Sequence, residues 1–306
     1  MPEAGDRPRI SVVIPHYNDR EALAADLAAL AGQRGDGVGF EIIVVDNGSA
    51  ELPTAVCARY PEVRLLSETT PGPGPARTHG AANARGEILA FVDADCCPDP
   101  GWILAIDRAF ADPEVQIIGG DVRIAPADPA RMTMVEAYES VFAYRIHLYI
   151  ARDNYTGTGN MAVRREIFAA VGPFAGIGVA EDMDWGRRAT AMGYRLTSVP
   201  EMRVRTAARR DFAELARKWD RHIAHFYAEN RTRPAARLRW AARTVLVAAS
   251  PLGEIVRIAR SDRLARPADR GRALAGVTRL RLYRAAQMLR LGLGADPERL
   301  AHGWRD

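Results

Sequence analysis

Residues 88–98, ILAFVDADCCP, decide how this chain is read. Five apolar residues run straight into two acids separated by one alanine, Asp93-Ala94-Asp95. A short, continuous apolar run bounded by polar residues is the pattern of a strand buried on both faces, as in a parallel sheet. Carboxylates at the end of such a strand stand at the sheet's carboxyl edge. There an open α/β sheet binds its ligand, and a hard divalent cation can be held against a diphosphate. Alternation along the strand would set both carboxylates on one side. Taken alone, Asp-x-Asp is also what a polar loop after a strand looks like, so its surroundings carry the weight.

Working outward, RISVVI at 9–14 is a second buried-strand pattern, expected to stop at Pro15, and FEIIVVD at 40–46 is a third, ending in Asp46. VRLLSE at 63–68 is a fourth. Between them lie helical patterns at 19–32 and 51–60, and at 76–85 after the Pro/Gly segment 69–78; in the first, Leu23, Leu27 and Leu30 repeat at helical spacing, with Asp19 as cap and Gly32 as stop. This βαβαβαβ order predicts an α/β fold with a doubly wound, mainly parallel mixed sheet. Downstream the pattern gives a helix at 101–111, a strand at 115–123, a long helix at 130–150, a glycine-bearing segment YTGTGNMAVRREIF and a helix at 182–192. Past about residue 212 the chain reads as wholly helical and rich in Arg and Ala, with breaks at Pro234, Pro251, Pro267 and 292–297. The expected organisation is a catalytic domain over 1–211 and a basic helical C-terminal extension over 212–306.

A chain of 306 residues that is 48% hydrophobic has a real core, which excludes intrinsic disorder. Cys57, Cys96 and Cys97 give neither a disulfide framework nor a zinc-type spacing, and a reducing cytoplasm fits that usage. The first residues, MPEAGDRPR, lack an apolar leader, and no run approaches the ~20 apolar residues of a spanning helix. A soluble protein, or one peripheral at the inner face of the membrane, is expected. The formal charge of +4 conceals an asymmetry: through Met202 there are 18 Lys/Arg against 28 Asp/Glu, a balance of −10, and after it 24 against 10, a balance of +14. One part can hold a cation and the other can meet an anionic partner. No GxGxxG follows the first strand, which excludes a dinucleotide oxidoreductase, and the acidic half argues against nucleic acid as a partner.

The succession PHYN, VVDNGS, GPGPARTHGAANARGE, FVDAD, GTGNMAVRRE and EDMDWGRR, spread over residues 9–205, resembles the family 2 type of inverting glycosyltransferases. The resemblance implies a GT-A fold, a nucleotide-diphosphate sugar donor with UDP favoured, a divalent metal (Mn²⁺ or Mg²⁺) and an acceptor hydroxyl on a glycan or a lipid-linked saccharide. It implies that Pro15, Tyr17 and Asn18 meet base and ribose, that Asp46 recognises the base, and that Arg77 contacts the nucleotide or its phosphates. Asp93 would approach the ribose and the metal's water shell, Asp95 would ligate the metal, and Asn160, with Gly157 and Gly159, would lie beside the donor sugar. Asp182, the second acid of the Glu181–Asp182 pair, corresponds to the general base. Each position also has a plainer reading: a helix cap for Asp46, an ion pair for Arg77, favourable first-turn charges for Glu181 and Asp182, and either packing or sugar stacking for Trp185.

The chain departs from the family at Thr206, close to where a metal-binding His is often found, and at His79, where Asn is usual. His222 and His225, three apart on an expected helix, are read as a helix face rather than a metal pair. Two alternatives remain open on the residues alone, an inactive nucleotide-sugar binding protein of the same fold and a sugar nucleotidyltransferase. The basic stretch RWAARTVLVAASPLGEIVRIAR at 239–260 suggests either contact with an anionic membrane surface or protein packing.

Overall fold

The structure, a computed structural model, describes residues 7–232, 235–297 and 300. The chain divides into two compact units. One comprises the chain through Arg123 together with Tyr144–Thr206, the other Ile124–Ala143 together with the chain from Ala207 onward.

In the first unit β1 (Ile10–His16) leads into α1 (Arg20–Ala31), where the Asp19 side chain accepts from the Ala22 amide at 3.0 Å. Then come β2 (Phe40–Asp46), α2 (Thr54–Cys57), β3 (Val63–Ser67), α3 (Pro73–Ala82) and β4 (Ile88–Val92). The helix expected over 51–60 starts only at Thr54, because Pro53 holds the residue before it out of the helical region, and it is one turn long. The helix expected over 76–85 starts earlier, at Pro73, whose fixed φ suits a first turn. Next are β5 (Cys96–Pro98), α4 (Trp102–Phe110) and β6 (Ile117–Ala125).

The helix expected over 130–150 is broken. α5 (Met134–Phe142) begins at a Thr133–Glu136 capping box and ends as Ala143 becomes extended and Tyr144 takes φ 47°; α6 (Ile146–Leu148) then runs into a π turn over Tyr149–Asp153. β7 (Asn160–Arg164), α7 (Arg165–Val171), α8 (Glu181–Ala191) and β8 (Leu196–Ala207) complete the order.

The eight strands of the described residues form one sheet in the order β3-β2-β1-β4-β7-β6-β8-β5. β3, β2, β1 and β4 are parallel, while β7 is antiparallel to both β4 and β6, and β5 is antiparallel to β8. Period-2 alternation divides the core between the faces. Ile10, Val12 and Ile14 pack with Leu23, Leu27, Trp102 and Ile106, whereas Val13 packs with Ile43, Val45, Phe91, Phe168 and Trp185. Full burial of such side chains contributes about 1.5–3 kcal/mol each, so the sheet edge that carries the acids is rigidly held.

The second unit joins α5 to α9 (Phe212–Asn230), α10 (Ala236–Ala249), α11 (Pro251–Ala259) and α12 (Pro267–Gly292). Tyr138 and Val141 of α5 share a core with Leu215, Ile258, Leu264, Val277 and Leu280. A side chain at Gly276 would put its Cβ 2.9 Å from that of Tyr138, so α5 and α12 meet backbone to backbone. The stretch 124–143, expected within a domain 1–211, therefore belongs structurally with the C-terminal helices: the apolar face of α5 is buried by α12. Pro251 and Pro267 open α11 and α12, as the expected breaks there require; Pro234 lies outside the described residues.

Candidate active site

β4 stops at Val92, short of the acids. The Cys96 amide donates to the Asp93 carbonyl at 2.8 Å, closing a tight turn over 93–96. That turn, and not alternation along a longer strand, gathers the carboxylates: oxygens of Asp93 and Asp95 and the Cys96 sulfur all lie within 4.8 Å of one another. Ala94 is buried beneath them while Asp95 is exposed at the rim. Backbone from the segment before β7 closes over Asp93, for a Cβ at Gly159 would come within 2.6 Å of Asp93 Oδ2. Desolvation, and then the charge of Asp93, push the Asp95 carboxyl up from its ordinary value. Two convergent carboxylates that resist sharing negative charge are a donor set that fits a divalent cation.

Arg77, on α3, is 3% exposed and ties this turn to a second group of acids. Its Nη1 donates to Glu181 Oε1 at 3.0 Å, and its Nη2 donates to Asp93 Oδ1. Burial alone would loosen the guanidinium proton, but Asp93 and Glu181 more than offset that. Glu181 opens α8, and Asp182 follows it in the same turn, its Oδ1 accepting from the Met183 amide at 2.7 Å. The Asp182 carboxyl is pushed up mainly by burial, with Glu181 adding to the shift and the Met183 hydrogen bond and Arg77 opposing it. A half-buried carboxylate made more basic in this way is suited to accept a proton.

Beside it stand two aromatic residues that sequence reading had not singled out. Tyr155 stacks on Tyr149 with centroids 5.2 Å apart and planes 7° from parallel. Its phenol is pushed up to about 12 by burial and then by the charges of Tyr149 and Asp182, which places the ring in the field of Asp182. α8 can approach this closely because residue 186 is glycine; a Cβ there would sit 2.6 Å from that of Tyr155. The available signal was Tyr155 leading into the glycine-bearing segment.

At the ends of β1 and β2, Tyr17 is 65% exposed, an open aromatic face, while Pro15 pairs in register with Val45. Asn18, at φ 54°, accepts from the Ala50 amide at 2.9 Å and donates its own amide to Ser49 Oγ at 2.9 Å, fastening the loop after β2. Asp46 is buried: Oδ1 lies 2.9 Å from His16 Nδ1, and Oδ2 accepts from the Ser49 amide at 3.0 Å. Burial would raise this carboxyl, but the hydrogen bonds of Ser49 and His16 prevail and hold it below the ordinary value. His16, part of the quoted PHYN but given no role there, is the unforeseen partner, and its Nε2 is buried without one.

Asn160 is placed differently from a donor-sugar contact. It is buried, its Nδ2 donates to Asp121 O and Met202 O, and its Oδ1 accepts from Trp102 Nε1, so it staples the sheet. Trp185 is likewise core, donating to Gly172 O at 2.9 Å and packing on Phe168 and Phe174; it is no sugar platform. Thr206 is buried directly opposite Cys96 in the β5–β8 ladder. His79 faces Glu68 at 3.3 Å on the wall of an open cavity of about 380 Å³, whereas the ring of His222 lies against Trp219. Among the described residues the metal-type grouping found is Asp93, Asp95 and Cys96, not the two histidines.

Residues 11–172 match the family model of glycosyl transferase family 2. Over 217 residues the chain is 32% identical to glycosyltransferase AglE of Haloferax volcanii, covering 69% of this chain and 70% of that protein. A shorter stretch of 138 residues is 31% identical to a pre-mycofactocin glycosyltransferase of Mycobacterium tuberculosis, covering 44% of this chain and 26% of that one. Among solved structures, the mannosyltransferase PcManGT of Pyrobaculum calidifontis, in complex with GDP-Man and Mn²⁺, superposes with a TM-score of 0.55 at 21% identity, covering 95% of this chain and 88% of that one. Glucosyl-3-phosphoglycerate synthase of Mycobacterium tuberculosis, with Mn²⁺, UDP and phosphoglyceric acid, gives 0.51 at 22% identity, covering 72% and 78%. These likenesses establish the GT-A fold, and the sequence matches set aside the nucleotidyltransferase and inactive-binder alternatives. With its acids gathered at the carboxyl edge of a GT-A sheet, the chain belongs to glycosyltransferase family 2 and is a transferase built to take a nucleotide-sugar donor.

Proposed function

We propose that this protein transfers a sugar with inversion from a nucleotide-diphosphate sugar, UDP-linked by preference, to an acceptor hydroxyl, using a divalent metal at Asp93 and Asp95. The observation that carries the reading is the Arg77 bridge, which sets the turn of Asp93–Asp95 and the turn of Glu181–Asp182 on either side of one guanidinium. A bound Mn²⁺ or Mg²⁺ would neutralise the departing diphosphate. Tyr17 offers a face for the base, and Asp46, fixed by His16 and Ser49, stands at the end of the neighbouring strand. The Asp182 carboxylate takes the proton of the acceptor hydroxyl as that oxygen forms its bond to the anomeric carbon. The bond from that carbon to the diphosphate breaks on the opposite side, and the nucleotide leaves with the electron pair. Glu181, held by Arg77, positions this turn, and the Tyr149–Tyr155 stack gives the acceptor a wall.

The acceptor is proposed to be a lipid-linked saccharide or cell-envelope glycan met at an anionic membrane surface. No helix of the described residues is long and apolar enough to cross a membrane. On α10 and α11, however, Leu238, Val245, Leu246, Leu252, Ile255 and Val256 are all exposed, at helical spacing, among exposed Arg237, Arg239, Arg257 and Arg260. Apolar area among cations supports interfacial attachment.

The deciding experiment is a thermal-shift panel of nucleoside diphosphates with and without Mn²⁺, since a ligand that binds only the folded state raises its melting temperature. The reading expects UDP and Mn²⁺ to stabilise synergistically, and expects Asp95→Asn to remove the synergy. Equal UDP affinity in EDTA and in Mn²⁺ overturns it. For the surface, flotation with anionic vesicles should weaken in salt and in Leu246→Asp/Leu252→Asp. Binding that ignores both changes overturns the membrane assignment.

A further inference from the structure

The feature that sets this site apart from a simple pair of carboxylates is the sulfur beside it. Cys96 is 6% exposed at the first position of β5, and its thiol donates to Asp95 Oδ1 at 3.6 Å, so the sulfur faces the carboxylates. Its backbone is fixed twice, by the turn bond to Asp93 O and by the ladder to Thr206. A second, independent feature lies behind it. Asp26, on the face of α1 that packs against β5, is fully buried, and neither of its carboxylate oxygens has a partner. Burial, and then the charges of Asp93 and Asp95, hold that carboxyl well above the ordinary range, which puts it in the field of the same two acids. A buried, unpartnered carboxyl costs free energy that a nearby cation relieves.

We propose that the Cys96 sulfur is a third ligand of the cation held by Asp93 and Asp95, with Asp26 as a buried acid supporting it, and that the site therefore prefers thiophilic divalent ions such as cadmium and zinc to magnesium. Oxygen-only sites suit hard ions, while a thiolate shifts preference toward soft and borderline ones. On coordination the S–H bond breaks, a sulfur–metal bond forms, and the proton passes to the buffer. Thr206, across the ladder, is buried and brings only a hydroxyl to that position, so the sulfur is the soft donor at this edge. The inference rests on the proposed reading of Asp93 and Asp95 as the cation site, and the test separates the two.

The full-length chain carrying Cys57→Ser and Cys97→Ser retains Cys96 as its single thiol, and is titrated with Co²⁺ and with Cd²⁺ in the absence of nucleotide. Expected are sulfur-to-metal charge-transfer absorption, in the near ultraviolet for Co²⁺ and at shorter wavelength for Cd²⁺, and saturable Cd²⁺ binding. Adding Cys96→Ser should abolish the absorption and weaken Cd²⁺ by about 10-fold or more, while UDP-dependent Mg²⁺ binding persists. Asp26→Asn should weaken Cd²⁺ by about 10-fold, the scale of a supporting partner, and raise the melting temperature of the metal-free protein. Cd²⁺ binding that lacks the absorption, or that is unchanged by Cys96→Ser in a protein shown folded by circular dichroism, overturns the sulfur assignment and leaves the two-carboxylate site standing. No saturable cation binding with or without UDP overturns both.

Discussion

Arg77 Nη1 and Glu181 Oε1 meet at 3.0 Å across 104 residues of sequence, and the other arm of the same guanidinium holds Asp93. The bond joins α3 to the first turn of α8, and so ties the turn of Asp93–Asp95 to the turn of Glu181–Asp182.

Arg77→Lys should therefore do more harm than a conservative exchange usually does. A lysine is a point charge without a fork, and it can reach only one of the two acids. Steady-state kinetics should show a loss of about 10²-fold in kcat/KM, the scale of a small misplacement of reacting groups. Arg77→Ala should also destabilise the fold by about 1–3 kcal/mol in chemical denaturation. That is less than a fully buried pair loses, because Asp93 and Glu181 are partly exposed. Kinetics unchanged in Arg77→Lys would show that the bridge has no part in the reaction.

For Asp182 the expectation is a split between binding and turnover. Asp182→Asn should leave UDP binding close to normal and lower turnover by about 10²–10⁴-fold. Because burial raises this carboxyl, the wild-type rate should climb with pH to above the ordinary aspartate range before levelling, and the variant should lack that limb. The sign for stability is the reverse: a raised carboxyl favours the fold at low pH, and the benefit fades as pH rises through its folded value. Asp182→Asn should thus match the wild type in acid and be slightly more stable at neutral pH. Retention of the donor's anomeric configuration in the product, read by NMR, would contradict an inverting base here.

The buried His16–Asp46 pair gives the opposite pH signature. Asp46 is held below its ordinary value, so its stabilisation is present above that value and is lost as pH falls through the folded one. Asp46→Asn, which cannot accept at both oxygens, should cost about 1–3 kcal/mol at neutral pH. The gap from wild type should close on acidification below roughly pH 4. A gap independent of pH would mean that packing, and not the charge, stabilises this corner.

Much of the site was legible because it sits where simple patterns end. The runs ILAFV and IIVV are apolar without interruption, so their strand identity and the acids after them follow from burial on both faces. What could not be read were relations between segments far apart in the chain. Nothing near Arg77 announces that its two arms divide between Asp93 and Glu181, and nothing near His16 announces Asp46. Asn160 and Trp185 look polar or exposed enough for ligand contacts, yet tertiary hydrogen bonds to Trp102, Met202 and Gly172 draw both into the core. The helix expected over 130–150 failed for a related reason: its apolar spacing continues through Ala143 and Tyr144, but the chain there leaves one compact unit for the other.

That crossing sets an order of events at the ribosome. α5 is made roughly 130 residues before α12, which at about 5–20 residues per second leaves its apolar face bare for on the order of ten seconds. During that interval Ala137, Tyr138 and Val141 are sticky surface on a nascent chain, a natural target for a chaperone. A stop codon placed before α12 would make the exposure permanent, so shortened products of this gene should be insoluble rather than smaller working enzymes.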